Sequence, residues 1–109
     1  MPLFVIRCTD QEGTVEKRLA VRPQHIARLE QLDAEGRVIV AGAMPKDPNH
    51  PQAGFYGSTM ILDFDSREAL DEWLKDEPFV KEGVYSHVDV KPFNKAFSKE
   101  KNKNVVCSP

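Results

Sequence analysis

Four short segments of β-strand character and two of helical periodicity follow one another along this chain in the order β-α-β-β-α-β. That order constrains the fold more than any single motif does. It predicts the ferredoxin-like, or split βαβ, arrangement of an α+β domain: a four-stranded antiparallel sheet with two helices on one face.

Leu3-Phe4-Val5-Ile6-Arg7-Cys8 is β-rich and ends at Thr9-Asp10, which makes it the first strand. Thr14 to Ala20 reads as an irregular helical turn. Pro23 suits the first position of the main helix because its φ is preset, and Ile26, Leu29 and Leu32 follow as an apolar stripe. Gly36 is placed to end that helix in a left-handed conformation. Arg37 to Ala43 is the second strand. Met44 to Tyr56 holds Pro45, Pro48, Pro51 and Gly54, a density of breakers that predicts a long loop.

Ser58 to Phe64 is the third strand, with Ser58, Met60, Leu62 and Phe64 on one face. Ser66 caps a second helix, Arg67 to Lys75, whose apolar face is Ala69, Leu70, Trp73 and Leu74. Glu77-Pro78-Phe79-Val80 reads as a short turn that Gly83 ends. Val84 to Lys91 is the fourth strand, with Val84, Val88 and Val90 facing one way and Tyr85, His87 and Asp89 the other.

Two helices cover only one sheet face. The bare face would carry either Leu3 and Val5 or Phe4 and Ile6, together with Ile39 and Tyr85. A partly apolar bare face predicts a contact surface. Its simplest partner is a second copy of the chain across a two-fold axis, a homodimer from which a higher oligomer could be built.

With 109 residues the chain has the length of one domain. Ser98 to Pro109 is polar and reads as a tail outside a domain of residues 1–97. That domain carries 12 basic and 16 acidic residues, a net −4, against −2 for the whole chain. No basic excess favours nucleic acid. No apolar run approaches the ~20 residues of a membrane span. No secretory signal opens the chain, which points to a cytoplasmic protein. Cys8 reads as a buried hydrophobe and Cys107 as a free tail thiol, and no His or Cys spacing suggests a metal site.

His25 is the best candidate for chemistry. It falls inside the apolar arc of the main helix, between Leu29 and Leu32, where a polar group needs a partner or a cavity. It is either a satisfied core histidine or a general acid/base. Asp33, Asp76 and Glu77 are the candidate orienting carboxylates. Arg18 and Arg22 lie towards the His25 side and could bind a carboxylate or phenolate. Ser58 sits on an apolar strand face without a nucleophile elbow, so it reads as a hydrogen-bonding group.

The run Glu16-Lys17-Arg18-Leu19-Ala20-Val21-Arg22-Pro23-Gln24-His25, followed by Ala27-Arg28-Leu29, resembles the YCII-related family. So do Ala41-Gly42-Ala43-Met44-Pro45, Ala53-Gly54-Phe55-Tyr56-Gly57-Ser58-Thr59, Pro78-Phe79, Gly83-Val84-Tyr85 and Val90-Lys91-Pro92-Phe93. The likeness covers roughly residues 2–97. It implies a dimeric α/β barrel with a histidine/carboxylate site in a cleft of each subunit and no cofactor.

The family histidine matches His25. The family carboxylate stands in an Asp-Pro-aromatic motif that here reads Glu77-Pro78-Phe79, one methylene longer, and Asp76 is the alternative. Ser58, Arg22, Pro45 and Phe55 would bind substrate, and the Met44–Tyr56 loop would shape the cleft. A branch of the family removes chloride from a chlorinated hydroxyhydroquinone, and related barrels isomerise lactones or oxidise quinols. The resemblance thus implies metal-free proton transfer on a small cyclic substrate. The contrasting expectation is a module that binds a small ligand, or assembles, without turnover.

Overall fold

The computed structural model describes residues 2–98. The tail expected from residue 98 onward, with Cys107, therefore lies almost wholly outside the described residues. The elements are β1 (Leu3–Asp10), α1 (Val15–Ala34), β2 (Val38–Pro45), β3 (Phe55–Asp63), α2 (Arg67–Lys75), α3 (Pro78–Lys81) and β4 (Tyr85–Phe93). The strands form one antiparallel sheet in the order β2-β3-β1-β4. This is the ferredoxin-like α+β arrangement expected from the segment order.

Period-2 alternation sets the layers. Phe4, Ile6 and Cys8 of β1 lie opposite Leu62, Met60 and Ser58 of β3, and all six are buried on the helix side. Leu29 and Leu32 of α1, Leu70 and Leu74 of α2, and Phe79 of α3 close the core above them. Leu3 and Val5 therefore take the open face, beside Ile61 of β3.

Three sequence expectations are corrected. First, α1 does not begin at Pro23; it runs from Val15 with Pro23 inside it. An internal proline costs about 3 kcal/mol by removing a hydrogen bond and crowding the preceding turn. Pro23 lies on the exposed side, and the buried Arg18 and His25 anchor the helix on either side of it. Tertiary contacts thus carry the helix through its breaker.

Second, the long loop shrinks. β2 extends to Pro45, β3 starts at Phe55, and a 3₁₀ turn occupies Pro51–Ala53. The Lys46 amide donates to the Gly54 carbonyl at 3.0 Å, closing the hairpin. Glu77-Pro78-Phe79-Val80 likewise contains a real helical turn, α3.

Third, Tyr85 is not on the open face. The β1–β4 pairing shifts register between Thr9 and Asp10, so that Thr9 pairs with His87 but Asp10 with Tyr85. Ser86 is the extra residue. A one-residue slip exchanges the two faces, and it turns Tyr85 into the core, where it is 7% exposed.

Other expectations hold. The Ser66 hydroxyl accepts from the Ala69 amide at 3.1 Å and caps α2. Gly36, with φ +73°, ends α1: its amide donates to Asp33 and the Arg37 amide to Leu32, a Schellman pairing. The two prolines within strands, Pro45 and Pro92, both lie on edge strands, where a missing N–H is tolerated.

Candidate active site

The helix face of the sheet, α1 and α3 converge on a cleft of about 100 Å³ lined by Arg22, His25, Ala41, Ser58 and Phe79 among others. It is small against the ~300–1,000 Å³ of drug-sized pockets. A larger concavity of about 720 Å³ lies elsewhere, beside Asp33, Val38, Phe93 and Phe97, and contains neither His25 nor Ser58.

His25 Nδ1 contacts Glu77 Oε1 in a buried, short hydrogen bond. Glu77 is fully buried, and it is held from behind by its own helix. It is the N-cap of α3, and its Oε2 accepts from the Phe79 amide at 2.8 Å and the Val80 amide at 3.3 Å. Pro78 at the first helical position makes this cap possible, because Glu77 before it is kept extended. The His25 ring stacks on Phe79 with centroids 4.3 Å apart. One carboxylate thus fixes Nδ1, an aromatic ring fixes the plane, and Nε2 is left as the ring nitrogen for the cleft.

A second cluster adjoins the first. Arg18, 3% exposed, donates through Nη1 to both Asp10 oxygens, at 2.8 and 3.0 Å, and through Nη2 to Ser58 Oγ at 2.6 Å. Its guanidinium lies over the rings of Phe55 and Phe79, at 4.6 and 4.7 Å. The Tyr85 hydroxyl donates to the same Ser58 Oγ at 2.9 Å. Burial pushes the Asp10 carboxyl up, and the Arg18 charge opposes that shift. Arg18 is therefore a neutralised structural cation, whereas the side chain of Arg22, exposed at the cleft, makes no hydrogen bond or ion pair with another described residue.

Of the residues singled out from the sequence, His25, Ser58 and Arg22 line one cleft and Glu77 meets His25 behind it. The alternatives fall away. Asp76 ends α2, and Asp33 is exposed at the far concavity. Pro45 and Phe55 do not line the cleft; Pro45 ends β2 opposite Phe55, and Phe55 reaches the site only as the surface under Arg18. Tyr85 and Asp10 were missed. Tyr85 depends on the bulge at Ser86, which leaves no periodicity signal, whereas Asp10 continues the alternation of Phe4, Ile6 and Cys8 and could have been read from it.

Cys8 sits behind Tyr85, buried. Burial first, then the Glu77 charge, push its thiol up to about 12. A group raised on folding stabilises the fold below its unfolded value and ceases to do so as pH climbs through the folded one. Burial raises the Tyr85 hydroxyl too. Thermal stability should therefore fall above about pH 9. Cys8→Ala should flatten that loss in melts taken across alkaline pH without abolishing it, since Tyr85 still contributes.

A model of the YCII-related domain matches residues 2–94. The chain belongs to this family. Within it, the protein named YciI from Escherichia coli O6:H1 is 53% identical over 97 residues, covering 87% of this chain and 99% of its own. A protein of Haemophilus influenzae is 50% identical over 96 residues, with 86% and 98% covered. Among solved structures, the 5-chloro-2-hydroxyhydroquinone dehydrochlorinase of Burkholderia phenoliruptrix, in complex with 2,5-dihydroxybenzoquinone, superposes with a TM-score of 0.76. It is 24% identical, and the match covers 85% of this chain and 94% of that one. The YCII-related chain therefore shares the ferredoxin-like α+β fold of that enzyme. No helix among its described residues is long and apolar enough to cross a membrane.

Proposed function

We propose that this YCII-related protein is a cofactor-independent enzyme of lyase or isomerase type, which moves a proton on a small cyclic substrate. The observation that carries this reading is the His25–Glu77 contact beside the cleft. Glu77 holds Nδ1 as a donor, so Nε2 is the basic nitrogen. Nε2 takes a proton from a substrate C–H or O–H, and the electron pair moves on to a substrate oxygen. The carboxylate stabilises the imidazolium so formed. The proton then returns at a second atom, giving an isomer, or an anionic leaving group departs, giving an elimination. Arg22 offers charge for an anionic oxygen. A dehydrochlorinase among proteins of the same fold supports this class of chemistry.

The test is proton exchange into heavy water, followed by NMR on hydroxyquinols, hydroxyquinones and enol lactones. Wild type should catalyse exchange with at least one of these, and His25→Ala should lose it by roughly 10²-fold or more while melting normally. Full exchange by His25→Ala would sink the reading, and binding without exchange by wild type would favour a ligand-binding module.

The working unit in this reading is a homodimer. The open sheet face carries Leu3, Val5 and Ile61 in its centre, with Val40 54% exposed at one edge. Arg7 and Asp89, paired in register, lie on the same face. Sedimentation should give a dimer for wild type and a monomer for Ile61→Lys. A monomeric wild type would remove this part of the proposal.

A further inference from the structure

Ser58 has a hydrogen-bonding balance that the proton-transfer reading does not use. A hydroxyl offers one donor and two acceptor sites. Arg18 Nη2, at 2.6 Å, and the Tyr85 hydroxyl, at 2.9 Å, both point their hydrogens at Ser58 Oγ. Both acceptor sites are then filled. What remains is the Ser58 proton, and among the described residues no hydrogen bond carries it onward to an acceptor. Ser58 lines the cleft.

The neighbours keep this arrangement in one direction. Arg18 cannot accept, and its second arm is tied to Asp10. Tyr85 is buried, and burial raises its hydroxyl, so it holds its proton. Arg18 and Tyr85 therefore both donate to Ser58, and Ser58 lines the cleft. A donor bonded to a guanidinium and a phenol is also polarised by both, which strengthens it towards an oxyanion.

We infer that Ser58 is an obligate hydrogen-bond donor to the substrate, with Arg18 and Tyr85 as its positioning residues. On this basis the cleft selects small rings that present a carbonyl oxygen or oxyanion at Ser58, and it rejects rings of the same shape that present only N–H. This rests on the cleft being the active site. It adds to that reading the place where negative charge collects when Nε2 removes the proton: a pre-aimed donor favours charge that develops on an oxygen.

Two isosteric probes test it at neutral pH, by fluorine NMR titration of the probe and proton NMR of the His25 ring. Pentafluorophenolate presents an oxyanion, and pentafluoroaniline presents N–H donors. Wild type should bind the phenolate at least about tenfold more tightly, with shifts in the His25 ring signals. Ser58→Ala should erase most of that preference. Tyr85→Phe leaves the ring packing in place but frees one acceptor site on Ser58, so the hydroxyl can turn; the preference should shrink severalfold while the melting curve stays close to wild type. A change in the preference ratio separates aiming from mere structural support, which would alter both affinities alike. An unchanged ratio in Ser58→Ala and Tyr85→Phe would overturn the inference and leave the proton-transfer reading standing. Failure of both probes to perturb His25 in wild type would overturn the cleft reading, and this inference with it.

Discussion

Glu77→Gln should leave the protein folded and nearly abolish its proton-transfer activity. The substitution is isosteric at the site of two separate duties. Glu77 Oε2 caps α3 through the Phe79 and Val80 amides, and Oε1 meets His25 Nδ1. Glutamine can keep the first duty with its carbonyl oxygen. It must then turn its NH₂ towards Nδ1, which forces Nδ1 to accept and places the ring proton on Nε2. The nitrogen facing the cleft is then the wrong tautomer for a base. A loss of roughly 10²–10⁴-fold in exchange rate is expected, with stability within about 1–2 kcal/mol of wild type. Glu77→Ala is the contrast. It removes the cap, worth about 0.5–2 kcal/mol, and leaves a buried ring nitrogen unpaired at about 1–3 kcal/mol, so it should melt well below wild type. Urea denaturation and exchange rates on the two variants separate the duties. An active Glu77→Gln protein would assign the carboxylate to structure alone.

Gly57→Ala should prevent folding. Gly57 pairs with Thr9 in the sheet at φ +156°. A Cβ added there would stand 1.7 Å from the Cys8 carbonyl oxygen and 2.7 Å from its carbon. Those are backbone atoms of the central strand β1, so no side-chain rotation relieves the clash. The only remedy is to part β1 from β3, beside Ser58 and the core. The expected cost exceeds about 4 kcal/mol, which few single substitutions reach. Gly42→Ala is the control, since nothing lies within 4 Å of its added Cβ. It should change stability by no more than about 1 kcal/mol. Circular dichroism and denaturation of both variants test this, and a normally stable Gly57→Ala would contradict the close approach of the two strands.

The legible parts of this molecule are those written in local periodicity and capping chemistry. Leu70 and Leu74 repeat at helical spacing after the Ser66 cap, and Ser58, Met60, Leu62 and Phe64 alternate at strand spacing. His25 stood out because it interrupts an apolar arc, and Glu77 because it precedes Pro78. The chain's own order of elements was enough for the fold class.

Breaker residues misled where tertiary contacts outweighed them. Pro23 sits inside α1 because Arg18 and His25 are anchored on both sides of it, and the loop after Met44 is shorter than its prolines predict because β2 runs on to Pro45 and β3 begins at Phe55. Tyr85 was assigned the wrong face because alternation cannot register an extra residue in one strand. From the sequence Arg18 reads like Arg22, as a cation that could bind a ligand, since nothing in its neighbourhood in the chain announces Asp10, Ser58, Phe55 and Phe79 around it.

The amino-acid sequence by itself determined the β-α-β-β-α-β order, the core faces of the main helix, α2 and β3, and the identity of the histidine. Each follows from interactions between residues a few positions apart, which the chain repeats. The tertiary structure alone decided which carboxylate meets His25, which arginine is spent on Asp10, and that Tyr85 and Arg18 converge on Ser58. Those choices join residues 8 to 52 positions apart. They depend on sheet register, a bulge and a helix cap acting together, and no local pattern encodes such a sum.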